Sequence, residues 1–435
     1  MKISIAVLLL VLSSLGLAYA QAPPLGKAQR QAVIEKTVEL VGANYVYPER
    51  AKVIETVLLK NARAGKYNAD VKLDDFLENL NRDMQVAGMD KHLRVNNNPR
   101  IVAELKQEAA GASEVSPEFL EMLQESNFRL KRVETLEGNV GYFKFDNFVE
   151  LRFVKDAFVG AMNFLHNSSS IILDFTDNGG GASETSDLLL SYFLPEGTRT
   201  GEAWDRTTNQ TTVSTVARAP EVKQMLDTPV YILVSERTAS AAEAVAYTLQ
   251  QSKRAVIIGS QTKGMANAGR LFPIDERLYV MVPTILNKNA VSGTNWEGVG
   301  VTPDIAMAPE QAFFSGMVSA LRSSAERKTD PKEKYRLNFL AQDYAARIAG
   351  EPPPAGFLGA CLGEYEGDQR IVLEDGSLHF RKGAANRKLT YMSDYTFIVE
   401  GRTDYRIRFA LDGGQVTQCE VLWFDDTSDT YKRTK

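Results

Sequence analysis

The stretch PVYILVSERTASAAEAVAYTLQQSKRAVIIGSQTKG, from Pro229 to Gly264, joins a predicted strand to a predicted helix. Its apolar, β-branched run at 230–234 is typical of a buried strand, and 241–251 is dense in good helix formers. Ser240 stands at the turn between them. A hydroxyl at such a turn lies beside the unpaired N–H groups and the positive end of the helix, which stabilise an attacking oxygen and an oxyanion.

The same turn also fits an ordinary helix start. Ser240 and Glu243 match the capping box, in which a serine and a glutamate three residues later satisfy each other's backbone N–H groups. A Ser-x-x-Glu before an apolar helix is more often a cap than a nucleophile. The pattern by itself therefore leaves both interpretations open.

A second strand-to-loop unit lies upstream. Residues 170–175, SIILDF, predict a buried strand, and 176–181, TDNGGG, follow it. Three consecutive glycines at the end of a strand let backbone N–H groups approach a ligand closely, which suits an oxyanion site. A flexible turn is the alternative.

Together these stretches resemble the C-terminal processing (tail-specific) serine peptidases, with their strand-NGGG loop and their S/T-A-S-A-x-E turn. Within that family the chain is most similar to the modules of interphotoreceptor retinoid-binding protein and to tricorn-type peptidases. The resemblance runs from about Arg132 to Ala306. It includes further motifs in the same order, namely GNVGY at 138–142, the glycines and threonine at 259–264, and TNWEGVGVTPD at 294–304.

The resemblance implies which residues form the catalytic centre. Carried over position by position, it makes Ser240 the nucleophile. Gly180 or Gly181, with the amide of Ala241, would then form the oxyanion hole. It also implies a crotonase-like spiral of βαβ units as the fold of the core.

The general base differs between branches of the family. Lysine-dependent members carry the base in a Gly-Lys-Gly segment after the nucleophile, and Met265, which cannot act as a base, stands there in this chain. His92 lies where relatives have an Asp-Gly-His-Leu turn, with Lys91 in place of the glycine. Glu297 matches the carboxylate that orients the histidine in relatives without the lysine. Lys263 is the alternative base.

The other two histidines fit that role less well. His166 precedes the strand at 170–175, at the end opposite the glycine loop, whereas active groups of open α/β sheets gather at carboxyl ends of strands. His379 lies among residues that predict a hairpin. Structural roles remain alternatives for two of the candidates: a turn hydrogen bond for His92 and a solvated loop carboxylate for Glu297.

Short β runs alternate with helices from Val140 onward, which predicts an α/β core. Helical periodicity precedes it, and alternation with hairpin turns after Pro354 predicts a small antiparallel barrel. The predicted parts are a signal peptide (1–20), an N-terminal helical domain (21–95), a connecting segment (96–131), the α/β peptidase core (132–310), a helical linker (311–354) and a C-terminal β-barrel-like domain (355–435).

The N-terminal residues predict export. Met1 and Lys2 precede an apolar run, and Ala18-Tyr19-Ala20 ends it, which is the layout of a secretory signal peptide cleaved after Ala20. The run is short for a membrane span. We therefore expect a periplasmic or secreted protein, in which Cys361 and Cys419 would form a disulfide.

Composition limits the partners. A net charge of −5 without basic clusters argues against nucleic acid and anionic membrane surfaces. No metal-ligand motif such as CxxC or HExxH occurs, so neither a metal nor another cofactor is expected, and the oligomeric state is left open.

Two functions remain. The first is an exported serine endopeptidase that cleaves peptides or unfolded chains through an acyl-enzyme on Ser240. The second is a non-catalytic binding module for apolar ligands, as in the retinoid-binding relatives. A hydroxyl, an imidazole and a carboxylate at the matched positions favour the first.

Overall fold

The computed structural model of the protein describes residues 25–68, 72–109 and 117–435. The predicted signal peptide and its cleavage site after Ala20 lie outside these ranges. Among the helices described, none is both long enough and apolar enough to cross a membrane.

Helices and strands alternate through most of the described chain. The helices are α1 (Lys27–Asn44), α2 (Pro48–Arg63), α3 (Leu73–Gly88), α4 (Pro99–Ala109), α5 (Pro117–Glu125), α6 (Leu151–Phe164), α7 (Ser183–Phe193), α8 (Ala241–Gln251), α9 (Pro309–Glu326), α10 (Pro331–Ala349) and α11 (Phe357–Cys361). The strands are β1 (Arg94–Asn97), β2 (Leu130–Leu136), β3 (Val140–Phe145), β4 (Ser170–Asp174), β5 (Arg199–Asp205), β6 (Gln210–Thr215), β7 (Val230–Val234), β8 (Ala255–Gly259), β9 (Ala268–Pro273), β10 (Leu278–Asn289), β11 (Ile305–Ala306), β12 (Gly363–Tyr365), β13 (Gln369–Glu374), β14 (Ser377–Lys382), β15 (Ala385–Ser393), β16 (Thr396–Val399), β17 (Tyr405–Asp412), β18 (Gln415–Trp423) and β19 (Ser428–Lys432).

The central sheet has six strands in the order β11-β8-β7-β4-β3-β2. All neighbours are parallel except β2, which is antiparallel at the edge. Every residue of β4 and β7 is buried, because α6, α7 and α8 cover one face and α9 covers the other. The expected α/β core is confirmed at this level. Since β4 and β7 are parallel neighbours, the loops after them meet at one edge of the sheet.

A second sheet connects the N-terminal helices to the core. Its strand order is β1-β10-β5-β6, and β9 also pairs with β10. Ile54 of α2 and Leu80 of α3 pack in one apolar cluster with Val280 of β10. The four-residue strand β1 pairs with the first half of β10, which fixes the turn that carries His92 immediately before it.

Strand β10 is longer than the sequence predicts. The sequence predicts a strand that stops at Pro283, yet β10 continues to Asn289. The register towards β9 shifts between Pro283 and Ile285, so the proline lies at a bulge, where its missing N–H is tolerated. The carbonyl of Pro283 accepts the N–H of Val46 (2.8 Å), so this hydrogen bond connects β10 to the loop between α1 and α2.

The C-terminal region forms a nearly closed antiparallel barrel, as predicted. The strands β12 to β19 pair in sequence order, and the first strand meets the last through Glu364, which accepts the N–H of Thr434 (2.8 Å). The barrel contacts α10 through Arg406, whose Nε lies 2.7 Å from Asp343 Oδ1. The predicted disulfide is wrong for this structure, because Cys361, in α11, and Cys419, in β18, are both free and buried.

Candidate active site

Ser240 begins helix α8 in a strained backbone conformation. Its φ and ψ are 53° and −119°, a region that non-glycine residues rarely adopt and that costs about 1–3 kcal/mol. The preceding turn is held rigidly, because Thr238 Oγ1 donates to Phe175 O (2.7 Å) and accepts the N–H of Ser235 (2.9 Å). Such strain on a strand-to-helix turn is how nucleophilic serines are exposed in other hydrolases.

The glycine loop after β4 packs directly against this turn. A Cβ on Gly180 would lie 2.7 Å from Ser240 Cβ and 3.0 Å from the amide nitrogen of Ala241, so only glycine fits there. Asn178 holds the loop in place: its Nδ2 donates to Phe145 O, and its carbonyl accepts the N–H of Ala239. No local pattern assigns a role to this asparagine, although it opens the NGGG motif.

The three predicted oxyanion donors are not equivalent. The N–H of Gly180 already donates to Asn178 Oδ1 (2.9 Å), so it is not free for an oxyanion in this structure. The N–H groups of Gly181 and Ala241 have no acceptor within the described parts of the chain. Of the predicted set, these two are available to a ligand.

His92 lies in a buried turn between α3 and β1. Asp90 Oδ1 accepts the backbone N–H of His92 (2.9 Å), and Asp90 Oδ2 accepts the hydroxyl of Tyr45 (3.2 Å). The histidine is only 3% exposed, and its Nδ1 lies 3.6 Å from Asp90 Oδ1. Neither ring nitrogen has a hydrogen-bond partner among the described residues, so His92 is not hydrogen-bonded to Ser240 here.

Lys91, which replaces the glycine of the related turns, contributes a long-range contact. Its Nζ donates to the carbonyl of Lys263 (2.6 Å). The substitution therefore ties the His92 turn to the segment that follows the nucleophile helix.

Glu297 faces the same turn. Its Oε2 accepts the N–H groups of Ala266 (2.7 Å) and Asn267 (3.0 Å), whereas its buried Oε1 has no partner among the described residues. Burial, and then the charge of Asp90, raise the pKa of Glu297 to about 7. One potential ligand atom from each of Asp90, His92 and Glu297 lies within 4.8 Å of the other two.

Glu243 occupies the centre of a second polar network. One of its oxygens accepts Thr262 Oγ1 (2.5 Å) and the N–H of Gly264 (2.7 Å). The other accepts the N–H groups of Ser240 and Met265, both at 2.9 Å. Burial raises the pKa of this fully buried carboxyl. The cap interpretation was thus correct for Glu243, which in addition connects the nucleophile turn to the segment 262–265.

Lys263 lies on the outside of that segment. Its side chain is exposed, and its backbone N–H donates to Thr238 O (3.0 Å). Partial desolvation, together with the charges of Arg94 and Lys91, lowers the pKa of Lys263. No hydrogen bond among the described residues joins its ammonium to Ser240.

The structure therefore assembles the candidates in two groups. Ser240 meets Gly180 and Ala241 at the end of the central sheet, and His92 meets Glu297 at the edge of the second sheet. The segment 264–267 connects them, because its first two N–H groups bind Glu243 and its last two bind Glu297. Asp90 was missed as a neighbour of His92, although its position two residues earlier is typical of an Asx turn.

A cavity of about 850 Å³ opens beside the second group. It reaches Asp90, Glu297 and Gly264 but not Ser240. A ligand in the cavity would therefore contact Asp90 and Glu297 before it reached Ser240.

Comparison with known proteins identifies the family that the chain resembles. Residues 139–307 match the model of peptidase family S41, and residues 17–134 match the N-terminal domain of peptidase S41 in eukaryotic IRBP. The chloroplastic carboxyl-terminal-processing peptidase 1 of Arabidopsis thaliana is 27% identical over 192 residues, which are 42% of this chain and 36% of that protein. A carboxy-terminal-processing protease of Bartonella bacilliformis is 28% identical over 187 residues, 40% of this chain and 39% of that protein.

The chain thus spans less than two fifths of the length of these two curated relatives. Among solved structures, a lipoprotein from Streptococcus agalactiae has a TM-score of 0.44 at 17% identity, covering 69% of this chain and 98% of that one.

Proposed function

The chain belongs to peptidase family S41, and on that premise we propose that it is a serine peptidase that cleaves peptides or unfolded chains through an acyl-enzyme on Ser240. The observation that carries the proposal is the Ser240 turn. A strained serine at a helix N-terminus lies against a glycine loop, and two backbone N–H groups beside it have no acceptor in the described part of the chain. An ordinary cap requires neither the strain nor the second loop.

The proposed mechanism assigns one role to each group. Ser240 Oγ attacks the scissile carbonyl while His92 accepts its proton, and the N–H groups of Gly181 and Ala241 bind the oxyanion. His92 then protonates the leaving amine, and Glu297 stabilises the imidazolium. Water hydrolyses the acyl-enzyme by the same steps.

The gap between His92 and Ser240 places a condition on this mechanism. Because no hydrogen bond joins them here, the His92 turn must approach Ser240 when a substrate binds. Catalytic hydrogen bonds are often long without substrate and tighten in the substrate complex. The segment 264–267 is the connection through which such a movement would be transmitted.

Covalent labelling tests the nucleophile. We expect a fluorophosphonate to add once per wild-type chain, and peptide mass mapping to locate the adduct on Ser240. Ser240→Ala should not react, whereas Ser252→Ala, at the other end of α8, should react like the wild type. An unlabelled wild type, or an adduct at another serine, would contradict the proposal.

The cavity favours a second candidate, a binding module for apolar ligands. Val86, Met89 and Val299 line it and are 60–73% exposed, which is unusual for large apolar side chains. Four cationic side chains line it as well, namely those of Arg50, Arg82, Lys91 and Arg94. Three carboxylates, those of Glu78, Asp90 and Glu297, line the cavity too. A lining with charges of both signs favours a peptide over an uncharged ligand, so we rank the peptidase first.

A fluorescence titration distinguishes the two functions. If the protein takes no fluorophosphonate but binds retinol or another uncharged apolar probe, and Val86→Ser weakens that binding, the binding module is the better description.

Three finer assignments complete the proposal. We propose that the core is a crotonase-like spiral, supported by its parallel strands and covering helices. Of the proposed domain boundaries near 95, 131, 310 and 354, the last is supported by the separate apolar cluster of the barrel. The N-terminal helices share a cluster with β10, Leu123 of the connecting segment belongs to the core cluster, and α9 and α10 share a cluster with the central sheet. Export with cleavage after Ala20 is supported by the N-terminal sequence, and mass spectrometry of the secreted chain would test it.

A further inference from the structure

Three buried polar atoms that have no hydrogen-bond partner among the described residues lie at one place in the molecule. They are both ring nitrogens of His92 and Oε1 of Glu297. A buried polar atom that lacks a hydrogen bond typically costs about 1–3 kcal/mol, so Glu297 Oε1 and one ring nitrogen of His92 point to a ligand that both contact.

The chemistry of the cluster matches a metal ion. It offers one imidazole and two carboxylates, the ligand types that Zn²⁺ and similar ions take in open three-residue sites. His92 Nδ1 and Asp90 Oδ1 are 3.6 Å apart. Two ligand atoms of a tetrahedral ion with bonds of about 2.0–2.2 Å are separated by about 3.3–3.6 Å.

The surrounding groups hold the ligands in place. Tyr45 donates to Asp90, and the amides of Ala266 and Asn267 fix Glu297 through Oε2, which leaves Oε1 directed elsewhere. Outer partners of this kind orient metal ligands in known sites. The cavity beside Asp90 and Glu297 gives an ion a route of entry.

We propose that Asp90, His92 and Glu297 bind a divalent transition-metal ion, and that the bound ion reversibly inhibits the enzyme. The inhibition rests on the proposed function, because the ion would occupy the imidazole that must accept the proton of Ser240. The site itself does not depend on Ser240. This proposal departs from the expectation of no metal, which rested on local motifs, whereas the ligands here come from two distant segments.

Calorimetry on the full chain tests the site apart from catalysis. EDTA-treated Ser240→Ala protein should bind one Zn²⁺. His92→Gln or Glu297→Gln in that background should weaken binding by at least about tenfold, since loss of outer partners alone costs 10–100-fold. His379→Gln is the matched control, because His379 also lies beside a carboxylate, 3.4 Å from Glu374, but in the barrel.

Cobalt provides a second measurement that does not require every variant to fold. Co²⁺ added to Ser240→Ala should give visible absorption bands typical of tetrahedral coordination, and Zn²⁺ should displace them. Absence of binding by both ions would show that the proposal is wrong. Binding that His379→Gln abolishes and His92→Gln leaves intact would also overturn it.

Labelling then tests the inhibition. Zn²⁺ should slow the fluorophosphonate reaction of the wild type in proportion to the fraction of chains that carry the ion, and EDTA should restore it. If the wild type is labelled but binds no Zn²⁺, the proposed metal site is wrong and the proposed peptidase function is retained. If the protein binds Zn²⁺ but is never labelled, the proposed peptidase function is wrong and the proposed metal site is retained. Zn²⁺ binding without slower labelling would overturn the inhibition.

Discussion

Glu243 and Glu297 are two partly or fully buried glutamates that bind neighbouring amides of one segment, yet their surroundings differ. Both have raised pKa values, with burial as the largest cause. Glu243 receives two donors on each oxygen. From the residues that the structure describes, Glu297 receives two donors on Oε2 and none on Oε1.

The difference in hydrogen bonding distinguishes a glutamate with a structural role, Glu243, from one that is available for reaction, Glu297. A satisfied buried network makes one arrangement of the chain rigid, which is the role we assign to Glu243. A carboxylate such as Glu297, with one oxygen that lacks a hydrogen bond beside an imidazole that lacks one too, stabilises the fold less but can bind a ligand or a proton. Substitution of Glu243 should therefore lower stability more than activity, whereas substitution of His92 or Glu297 should lower activity more than stability.

The largest expected effect is on catalysis at the unsatisfied side. His92→Ala should lower kcat/KM for a fluorogenic peptide by about 10³–10⁴-fold, because the proton acceptor is gone while the fold remains. Thermal unfolding checks the fold. Lys263→Ala is the control and should stay within a few-fold of the wild type. If Lys263→Ala is inactive and His92→Ala is active, the general base is Lys263 and not His92.

The next largest effect is on stability at the satisfied side. Glu243→Gln should lower the free energy of unfolding by about 3 kcal/mol, because one pair of buried donors would face an amide NH₂ instead of an oxygen. Urea denaturation measures it. Glu310→Gln, in the exposed first turn of α9, should change stability by less than about 0.5 kcal/mol. Equal losses in the two variants would remove the distinction drawn above.

Glu297→Gln should give the opposite combination. It keeps an oxygen for the amides of Ala266 and Asn267 and places the NH₂ where no bond is made, so stability should fall by less than about 1 kcal/mol. Activity should fall by about 10–100-fold, because the imidazolium loses one of its two neighbouring carboxylates and keeps Asp90. Paired unfolding and kinetic measurements would contradict the comparison if stability fell more than activity.

The smallest effect concerns the strain at Ser240. The free energy of unfolding of Ser240→Gly should be about 1 kcal/mol higher than that of Ser240→Ala, because glycine adopts a φ of 53° without steric cost. The same pair of changes at Ser252, where φ is −77°, should have the opposite order. If alanine is the more stable residue at both serines, the turn is not strained.

Local features of the site were readable from the sequence. The Ser240 turn and the glycine loop are each encoded within about ten residues, and adjacency of β4 and β7 then brings them together. His92 and Glu297 were found through resemblance, since nothing local marks them. The orphaned oxygen of Glu297 and the use of the Gly180 amide depend on tertiary geometry, which no local pattern specifies.

Errors arose where context overrides propensity. Pro283 did not end β10, because a bulge accommodates it. Strands β5 and β6, at Arg199–Asp205 and Gln210–Thr215, have many polar residues and were not predicted. The disulfide was inferred from the positions of two cysteines in the chain, although pairing depends on the geometry of their side chains.

The pairing of β1 with β10 also sets the order in which the protein can assemble. Arg94 lies opposite Met281, so the turn that holds His92 is fixed only after β10 has been synthesised, late in the chain. Pairings between such distant segments form slowly, because a long loop must close first. The strands that position Ser240 and the glycine loop precede β10 in the chain. Helix α9, which covers one face of β4 and β7, follows β10, so a growing polypeptide completes neither the nucleophile turn nor the position of its base until both have been synthesised, and it is expected to be inert before then.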